Sequence, residues 1–573
     1  MSAPRPVPGC HSREEHSVKR WQYLLSYTVF ASLLIVGEDN SMGSQGVSRR
    51  GFLKGALATG GAAATATALG GCQQAPQSPN VPSKWDKDAD VVVVGGGGTG
   101  CAAAISAAEA GAKVILLEVA PALGGSSALC VGSVTAPLSK MQKDQGIQDS
   151  IEDYMEDILH ATGANAGRVD KDMLRLLAET GGPAIDWLAG LGVQFAGPYE
   201  YPGHHRVNRM HMLVPNSAAW RKVLQPKMQE KGVEILLQTK GAELYRDVNN
   251  RVLGVKAMDT TTNKAIAIKA KKAVILATAS TEAATAYKKK ITTPDIAEMP
   301  AANPNNDGSG LMMAAALGAD LTMLDAWGSP GLRTNLPGPN VSSTGKQAWM
   351  PFGIMDAGAI LVNNEGHRFV NEKGATDDIA LAVQAQTGKI CHMVFDSQVA
   401  EIFNKWPMVV SSHPDKGDVS GIGGWGLVDD FVARNGIKVA KTIEELAAAV
   451  KVEPAGLKAT IEQWNNYCQE GKDPDFKRTT FGHAEAKTVG AGIKTPPFYV
   501  HSPIRVQIIL ADVTLMVNTK LQVLDVFGNV IKGLYAGGET GHGNLYLSGH
   551  GTHMAWSFAS GRLAGTNAAA EES

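Results

Sequence analysis

One segment constrains the fold of this chain more than any other: residues 88–118 read DADVVVVGGGGTGCAAAISAAEAGAKVILLE. Four consecutive valines predict a buried parallel strand, which leads through a glycine-rich turn into a helix of small residues and then into a second strand. Gly95, Gly97 and Gly100 fit the pattern GxGxxG, and Glu118 closes the second strand. Because the pattern follows a strand and opens a helix, it predicts an α/β domain that binds a dinucleotide.

Each residue type in this segment suits the chemistry of a dinucleotide. Glycines let the backbone approach the pyrophosphate closely, and the N-terminus of the helix offers amide groups and the positive end of its dipole. Glu118 is placed to accept hydrogen bonds from the ribose hydroxyls of the adenosine. We therefore expect a nucleotide cofactor at this turn.

Two further glycine-rich segments favour FAD over NAD. The segment ALGGSS at 122–127 comes directly after the acidic residue, and its Gly-Gly pair would let the chain pass over the pyrophosphate and the flavin. Near the C-terminus, VIKGLYAGGET at 530–540 predicts a strand that runs into Gly-Gly-Glu. A nucleotide held from both ends of the sequence is the arrangement of FAD.

Composition excludes several other classes of protein. The formal net charge is −2 and no basic block stands in the globular part, so we expect no nucleic-acid partner. The six cysteines form no CxxC pair, which argues against iron–sulfur, zinc-ribbon and haem-attachment motifs. No second GxGxxG unit offers a site for NAD(P)H, so we expect electrons to come from a separate cytochrome or flavoprotein.

Several segments together resemble one flavoprotein family, that of the soluble fumarate reductases, urocanate reductases and 3-ketosteroid dehydrogenases. The matching segments cover roughly residues 88–570. They are the GxGxxG unit, ALGGSS, KKAVILATAS, NNDGSG, GAILVNNEGHRFVNE, and GLYAGGET running to SGRLAG. Two positions depart from the family pattern: Ala279-Ser280 replace a Gly-Gly pair, and Ser126 stands where asparagine is frequent.

The resemblance implies the fold and the domain organisation. It implies an α/β protein whose Rossmann-like FAD-binding domain is split in sequence, with an inserted α+β capping domain. The first part of the FAD-binding domain would span 86–322, the capping or substrate domain 323–494, and the second part 495–573. The FAD would be bound non-covalently, since no recognisable attachment histidine stands near 124–130.

The resemblance and the GxGxxG unit together give the residues expected to bind FAD. They are Gly95, Gly97, Thr99, Gly100, Glu118, Gly125, Ser126, Ser127, Gly132, Asp307, Glu539, Gly549, Gly551 and Thr552.

The C-terminal stretch GGETGHGNLYLSGHGTHMAW, residues 537–556, is interpreted in the same way. Its glutamate would meet the ribityl chain, and its later glycines would pass under the isoalloxazine, where a Cβ atom would clash. A helix from about Thr552 to Gly565 would point its N-terminus at the flavin. Its three histidines have no carboxylate or thiolate at ligand spacing, so we expect no metal site.

The family moves a hydride between the flavin and a carbon of a polarised C=C bond, while a side chain moves the proton. The positions that carry substrate-binding or proton-donating cations and histidines in the fumarate reductases fall here at Trp327, Thr376, Leu510 and Ser548. A pocket without these groups cannot compensate a buried dicarboxylate. The resemblance therefore implies reduction of an activated C=C bond, of enoate or enone type, in a small organic molecule other than fumarate.

Three side chains are candidates for the proton transfer: Tyr546, His550 and Lys373. Tyr546 stands one residue from the position at which the ketosteroid enzymes carry a flavin-side tyrosine. A histidine-rich and arginine-rich segment at 201–212 is a further candidate neighbour of the substrate. Two alternative functions stay open: a 3-ketosteroid-type dehydrogenase, and a non-catalytic FAD subunit for electron transfer or binding.

The N-terminal part of the sequence has the features of an export signal. Residues 48–72 hold a twin arginine, Arg49-Arg50, before a weakly apolar run, which predicts a twin-arginine signal over 42–72 and an extracytoplasmic location. The segment LGGC resembles a lipobox, which would place a lipid anchor on Cys72; cleavage elsewhere is the alternative. Residues 73–85 read as a polar linker, and 1–41 as an extension from an early start codon.

Overall fold

The structure of the protein is a computed structural model. It describes residues 80–572 apart from 131, 200–204, 215–216, 218, 325–329, 335–347, 350–352, 375, 406–427, 434, 480 and 482–491. The predicted extension, the predicted signal, Cys72 and Trp327 lie outside the described residues.

The described strands are, in chain order, β1 Lys87–Val94, β2 Val114–Leu117, β3 Ser133–Thr135, β4 Gln194–Tyr199, β5 Met210–Val214, β6 Glu234–Leu236, β7 Thr239–Arg246, β8 Val252–Asp259, β9 Ala265–Leu276, β10 Leu321–Thr322, β11 Pro330–Thr334, β12 Ala348–Trp349, β13 Ile360–Val362, β14 Ile390–Asp396, β15 Ile437–Ala440, β16 Phe498–Ile508, β17 Thr514–Leu515, β18 Gln522–Leu524 and β19 Val530–Ala536.

The described α-helices are α1 Gly98–Glu109, α2 Lys140–Asp144, α3 Ile151–Thr162, α4 Lys171–Leu191, α5 Ala219–Glu230, α6 Thr285–Ile291, α7 Pro294–Glu298, α8 Ser309–Ala315, α9 Gly353–Asp356, α10 Thr376–Gln384, α11 Ser397–Lys405, α12 Val428–Ala433, α13 Ile443–Val450, α14 Pro454–Glu470 and α15 Thr552–Ala570.

The first sheet has a parallel core in the order β19-β9-β1-β2-β6, with β18 antiparallel at one edge and the antiparallel strands β7 and β8 joined through β9. The four valines of β1 are buried, as expected for a central strand of a parallel sheet. The last part of the chain supplies β18 and β19, so the sheet is built from both ends of the described sequence. The predicted split α/β fold is confirmed.

The helices α1 and α15 cross the same face of this sheet at very short distance. A Cβ atom on Gly561 would lie 2.3 Å from the carbonyl oxygen of Thr99, and one on Gly565 would lie 2.2 Å from that of Ala103. The small residues predicted for the first helix therefore serve backbone-to-backbone packing, since larger side chains would hold the helices apart. This packing fixes the N-termini of both helices relative to each other.

A second sheet of six strands has the order β12-β11-β16-β14-β13, with β15 also paired to β16. It forms two apolar clusters with the helices of the inserted region. The predicted boundary at 494/495 precedes β16, whereas β16 lies inside this sheet. The sheet therefore includes residues that the prediction assigns to the second part of the FAD-binding domain.

Within the part of the chain that the structure describes, no helix combines the length and the apolar character that a bilayer crossing requires.

Candidate functional site

The GxGxxG turn closes tightly between β1 and α1. Gly95 has φ +109°, and a Cβ atom there would lie 2.2 Å from the carbonyl oxygen of Ala277. A Cβ atom on Gly100 would lie 1.8 Å from the carbonyl oxygen of Gly95. Gly95 is therefore required by the turn and by the neighbouring strand β9, and Gly100 by the packing of α1 on β1.

Gly97 differs from these two glycines because its Cα faces open space. A Cβ atom there would meet nothing closer than the Ser127 hydroxyl at 3.9 Å. Gly97 precedes α1 and supplies no side-chain cap, and the first turn of this helix holds no acidic residue. Amide groups and the positive end of the helix dipole therefore point at a free surface, which is the arrangement that binds anions.

The Glu118 carboxylate lies at the end of β2, 6 % exposed. It accepts hydrogen bonds from the backbone amides of Gly96 and Ala120, both at 2.7 Å. Burial raises the pKa of Glu118, while these amide donors act in the opposite direction. The two amides hold the carboxylate in one orientation at the cavity, with lone pairs left to accept from a ligand.

The segment at 122–127 forms the next wall. The Ser127 hydroxyl accepts from the Gly98 amide at 3.2 Å, and Thr99 and Ser557 share a hydrogen bond of 2.8 Å between their hydroxyls. The Ser126 hydroxyl accepts from the side-chain amides of two asparagines, Asn303 at 3.2 Å and Asn306 at 2.9 Å. These bonds connect the turn, the C-terminal helix and the NNDGSG segment into one polar wall.

These walls enclose a cavity of about 1310 Å³, its open mouth included. The predicted contacts that line it are Gly95, Gly97, Thr99, Glu118, Gly125, Ser126, Ser127, Asp307 and Glu539. The predicted contacts Gly100, Gly132, Gly549, Gly551 and Thr552 are not among the residues of this lining and stay predictions.

Comparison of the sequence with known protein families identifies the family. The family described as "FAD binding domain" matches residues 90–552 of this sequence.

The chain belongs to this family.

Individual relatives point the same way. A urocanate reductase from Eggerthella lenta is 31% identical over 506 residues, which cover 86% of this chain and 76% of that protein. A digoxin reductase from the same organism is 27% identical over 590 residues, covering 92% of this chain and 98% of that protein. The solved open conformation of a flavocytochrome c3 fumarate reductase matches with a TM-score of 0.70 and 26% identity, over 85% of this chain and 79% of that one.

The resemblance predicted from the sequence is thus confirmed, and FAD is the cofactor of this fold. The protein is an FAD-dependent oxidoreductase that acts on C=C bonds.

The residues on the cavity wall fit FAD on physical grounds. The open face of Gly97 leaves room where a diphosphate approaches, and the uncapped N-terminus of α1 supplies its donors. Glu118 offers a fixed acceptor for ribose hydroxyls. When bound, FAD supplies the hydride chemistry that no side chain of a protein can supply.

Asp307 lies on the same wall and is engaged by Lys240, with which it forms an ion pair. Its second oxygen accepts from the Ser309 amide at 3.0 Å. Burial opposes ionisation, but the Lys240 and Ser309 contacts outweigh it, so the pKa of Asp307 is lowered. The prediction did not include Lys240, because β7 and the NNDGSG segment are far apart in sequence and no local pattern connects them.

The loop before α15 is held in place by contacts with β3. A Cβ atom on Gly551, which has φ +86°, would lie 2.4 Å from the Thr135 hydroxyl. That hydroxyl donates to the His550 carbonyl at 2.6 Å, and the His550 ring Nδ1 is 2.8 Å from the Ser133 hydroxyl. Thr552 begins α15, as predicted. Neither a side-chain cap nor an acidic residue occupies the first turn of this helix, so its N-terminus is available to a negative group.

The three candidate proton donors lie in different surroundings. Tyr546 is 7 % exposed and packs in the main apolar core, with the Arg168 guanidinium 5.8 Å from its ring centre. His550 is half-buried in the loop before α15. Lys373 is exposed in the turn that precedes α10. None of the three belongs to the described lining of the cavity, so their roles stay predictions.

The segment at 201–212 is described from His205 onwards. The buried Arg209 forms ion pairs with Asp149 at 2.6 Å and Asp157 at 2.5 Å, and its guanidinium lies 5.3 Å from the ring centre of Tyr154. His205 approaches the loop before α15, 3.6 Å from the position of a Cβ atom on Gly549. This segment therefore supports that loop with a buried ionic network.

His553 and Glu282 were missed as site residues. His553 lines the cavity with its Nδ1 3.7 Å from the Glu539 carboxylate. Glu282 is completely buried beside Glu539. His553 carried a signal, since its stretch stood out for its histidines, but Glu282 comes near the cavity only through the folding of segments distant in sequence. Among the residues described, no group of histidines, cysteines and acids could hold a metal ion.

Proposed function

We propose that the protein is an exported FAD-dependent reductase of an activated C=C bond, of enoate or enone type, in an organic substrate other than fumarate. A separate redox partner, a cytochrome or a flavoprotein, supplies the electrons. The reaction class comes from the family; the substrate, the location and the partner are the proposal.

The observation that carries the exclusion of fumarate is the charge of the cavity. Among the described lining residues the one lysine or arginine is Lys240, and Asp307 already engages it. Leu510 lines the wall at a position where the sequence alignment places a substrate histidine of the fumarate reductases. Two carboxylates brought to such a wall would find no free cation among the described residues in place of their hydration, because Lys240 is engaged and the N-terminus of α1 faces the cofactor, at a cost of several kcal/mol each.

Position 548 supports the same proposal. The Ser548 hydroxyl accepts from Thr162 at 2.9 Å, so a short neutral side chain bonded to α3 stands where the fumarate reductases carry an arginine. The names of the two relatives, a urocanate reductase and a digoxin reductase, also point to substrates other than fumarate within this family. A larger and more neutral substrate suits both observations.

Tyr546 is the proposed proton donor. Its position in the apolar core keeps water away from the ring, and the Arg168 guanidinium lies 5.8 Å from the ring centre. A positioned acid of this kind contributes roughly 10²- to 10⁴-fold to a rate.

The decisive experiment is anaerobic reduction by the purified holoenzyme with reduced viologen as electron donor. Cinnamates, enones and unsaturated steroids are compared with fumarate. We expect turnover with at least one neutral or monoanionic C=C substrate and none with fumarate. Rapid fumarate reduction would refute the substrate proposal. Oxidation of a ketosteroid without reduction of any C=C bond would identify the dehydrogenase alternative, and activity in neither direction the non-catalytic FAD subunit.

The role of Tyr546 is tested with Tyr546→Phe, which keeps the ring and removes the proton. Turnover should fall by roughly 10²-fold or more while FAD content stays unchanged. Tyr467→Phe is the matched control, since the Tyr467 hydroxyl lies on the surface and bonds Asp475 at 2.9 Å. Tyr546→Phe turnover within threefold of the control would exclude Tyr546 as the donor.

Export has its own test. Replacing Arg49 and Arg50 by lysine should leave the full-length precursor in the cytoplasm, because the twin arginine is the feature of the signal that the route reads. Mass spectrometry of the mature N-terminus decides the lipid: an unmodified Cys72, or cleavage elsewhere, would remove the anchor from the proposal.

A further inference from the structure

An exposed apolar surface lies at the end of the first sheet that is opposite the FAD cavity. Val248, in the turn between β7 and β8, is 68% exposed. Val526 and Phe527, in the turn between β18 and β19, are 57% and 63% exposed. Val81 and Val530 are exposed beside these turns, and we call the five residues the apolar tip. They are half of the ten large apolar side chains that are exposed in the described part of the chain, and such a concentration marks an interaction surface.

Hydrogen bonds join the two turns to each other and to the start of the described chain. The Asn250 side chain donates to the Leu317 carbonyl at 3.2 Å, and the Val526 amide donates to the carbonyl of the residue after Leu317 at 3.1 Å. The Arg246 guanidinium donates to the Asn250 side chain at 3.1 Å, and the Arg246 amide donates to the Asn80 side chain at 2.8 Å. The two turns and the first described residue therefore lie side by side.

An aspartate holds each of the two turns in shape. Asp525 accepts hydrogen bonds from the backbone amides of Phe527 and Asn529, both at 2.9 Å. Asp247 accepts in the same way from two amides of its own turn, at 2.8 and 2.9 Å. Each carboxylate is engaged by its own turn, and the apolar side chains stay exposed because the backbone around them is fixed.

The apolar tip is remote from the chemistry of the flavin. The strand β19 runs from Val530, in the tip, to Ala536, and the next residue, Gly537, lines the FAD cavity. An extended strand of this length spans about 20 Å. A partner that exchanges electrons or substrate with the flavin would bind at the cavity itself, so the tip suits a different contact.

The sequence that precedes Asn80 indicates which contact this is. Seven residues, 73–79, separate Asn80 from Cys72, the proposed site of the lipid. A chain of this length reaches at most about 30 Å, so a lipid on Cys72 would keep a bilayer surface within reach of the tip. The seven residues read QQAPQSP, and a segment so polar is not suited to covering an apolar surface itself.

We propose that the apolar tip inserts into the surface of the membrane, with Val248, Val526 and Phe527 among the lipid head groups and the upper acyl chains. A bilayer needs no shaped pocket, which suits two protruding turns: a Cβ atom on Gly528 would meet nothing within 4 Å. The contact orients the protein so that the FAD cavity, at the opposite end of the sheet, faces away from the bilayer. The choice of a membrane as partner draws on the proposed export and lipid anchor.

The experiment places an environment-sensitive dye, nitrobenzoxadiazole, on Phe527→Cys in the full-chain holoenzyme. The vesicles are phosphatidylethanolamine and phosphatidylglycerol in equal parts, at millimolar lipid. Emission should rise at least about twofold and shift to shorter wavelength, because the dye leaves water. Val439→Cys is the matched control, since Val439 is 44% exposed in β15 of the second sheet and should not respond. No response at 527, or the same response at both positions, would overturn the proposal.

The wild-type protein, treated with the same dye, corrects for labelling of its own cysteines. The measurement needs neither a substrate nor a lipid on Cys72, so its failure is distinguishable from failure of the proposed function.

A second measurement tests whether another copy of this chain covers the tip instead. Sedimentation of the wild type is compared with that of the double variant Val526→Ser, Phe527→Ser. We expect the same oligomeric state, the same FAD content and the same viologen-driven turnover in both, because the tip is remote from the cavity. A wild-type dimer that the double variant converts to monomers would identify a second copy as the occupant and overturn the membrane contact.

Discussion

Replacing Gly97 with alanine should separate cofactor binding from folding. Gly97 has φ −74° and ψ −173°, a conformation that alanine adopts without strain. Within the protein the new Cβ atom would meet nothing closer than 3.9 Å. The apoprotein should therefore keep its stability to within about 1 kcal/mol.

The same Cβ atom would stand on the face at which the diphosphate approaches. Overfilling a close-packed contact by one methyl group costs about 1–3 kcal/mol, so FAD affinity should fall by roughly 5- to 150-fold. Gly100→Ala is the matched variant, because its Cβ atom would lie 1.8 Å from the Gly95 carbonyl oxygen inside the protein itself. It should destabilise the apoprotein by about 3 kcal/mol or more.

The assay has two parts on the same deflavinated preparations: thermal unfolding without cofactor, and FAD titration followed by fluorescence quenching. Gly97→Ala should unfold like the wild type and bind FAD weakly, whereas Gly100→Ala should unfold earlier. FAD affinity of Gly97→Ala within threefold of wild type would show that the cofactor does not pass this face.

Three further predictions concern the cofactor contact of Glu118, the ion pairs of Arg209 and the buried His501. Glu118→Ala removes an acceptor worth about 1.5–3 kcal/mol, so FAD retention on desalting should fall at least about tenfold; wild-type retention would contradict the ribose contact. Arg209→Met leaves the buried Asp149 carboxylate without its cation, whereas Asp157 keeps its ion pair with Arg206. The change should lower the free energy of unfolding by about 3–5 kcal/mol, measured by thermal unfolding, whereas the exposed Arg175→Met should change it by less than about 1 kcal/mol. His501 is 0 % exposed, and burial lowers its pKa to about 3. On acidification the unfolded chain therefore binds a proton before the folded protein does, and the free energy of unfolding should fall by about 1.4 kcal/mol per pH unit below pH 6.5. In denaturant titrations of His501→Leu, the slope of the free energy of unfolding against pH should be smaller by that amount.

The sequence was most informative where a function rests on contiguous residues. The valine strand, the glycine turn and Glu118 lie within 31 consecutive residues, and each has a steric or electrostatic reason that can be worked out locally. The start of α15 at Thr552 could be predicted for the same reason, since it directly follows the glycine-rich stretch that ends at Gly551.

Contacts between distant segments could not be predicted in this way. Lys240 in β7 meets Asp307, which precedes α8, only because the fold brings together two segments that are 67 residues apart in the sequence. The strand at Phe498–Ile508 shows the same limit at the level of domains. Its alternating apolar pattern suits either sheet, and the pairing with β11, β14 and β15 decides which one it joins.

Both ends of the described sequence contribute strands to the first sheet, and this affects how the chain folds as the ribosome synthesises it. Leu534 in β19 pairs with Val274 in β9, and α15 packs on α1. The first nucleotide-binding unit therefore cannot be completed before the last residues are synthesised. Pairings of such long sequence separation form slowly, because the chain must lose the entropy of a large loop first. A nascent chain that stops before residue 530 lacks β19 and α15, so we expect it to leave the edge of β9 exposed and to release the cofactor. We therefore expect cofactor loading to follow synthesis, and a C-terminal truncation that removes α15 should yield a colourless, aggregation-prone protein.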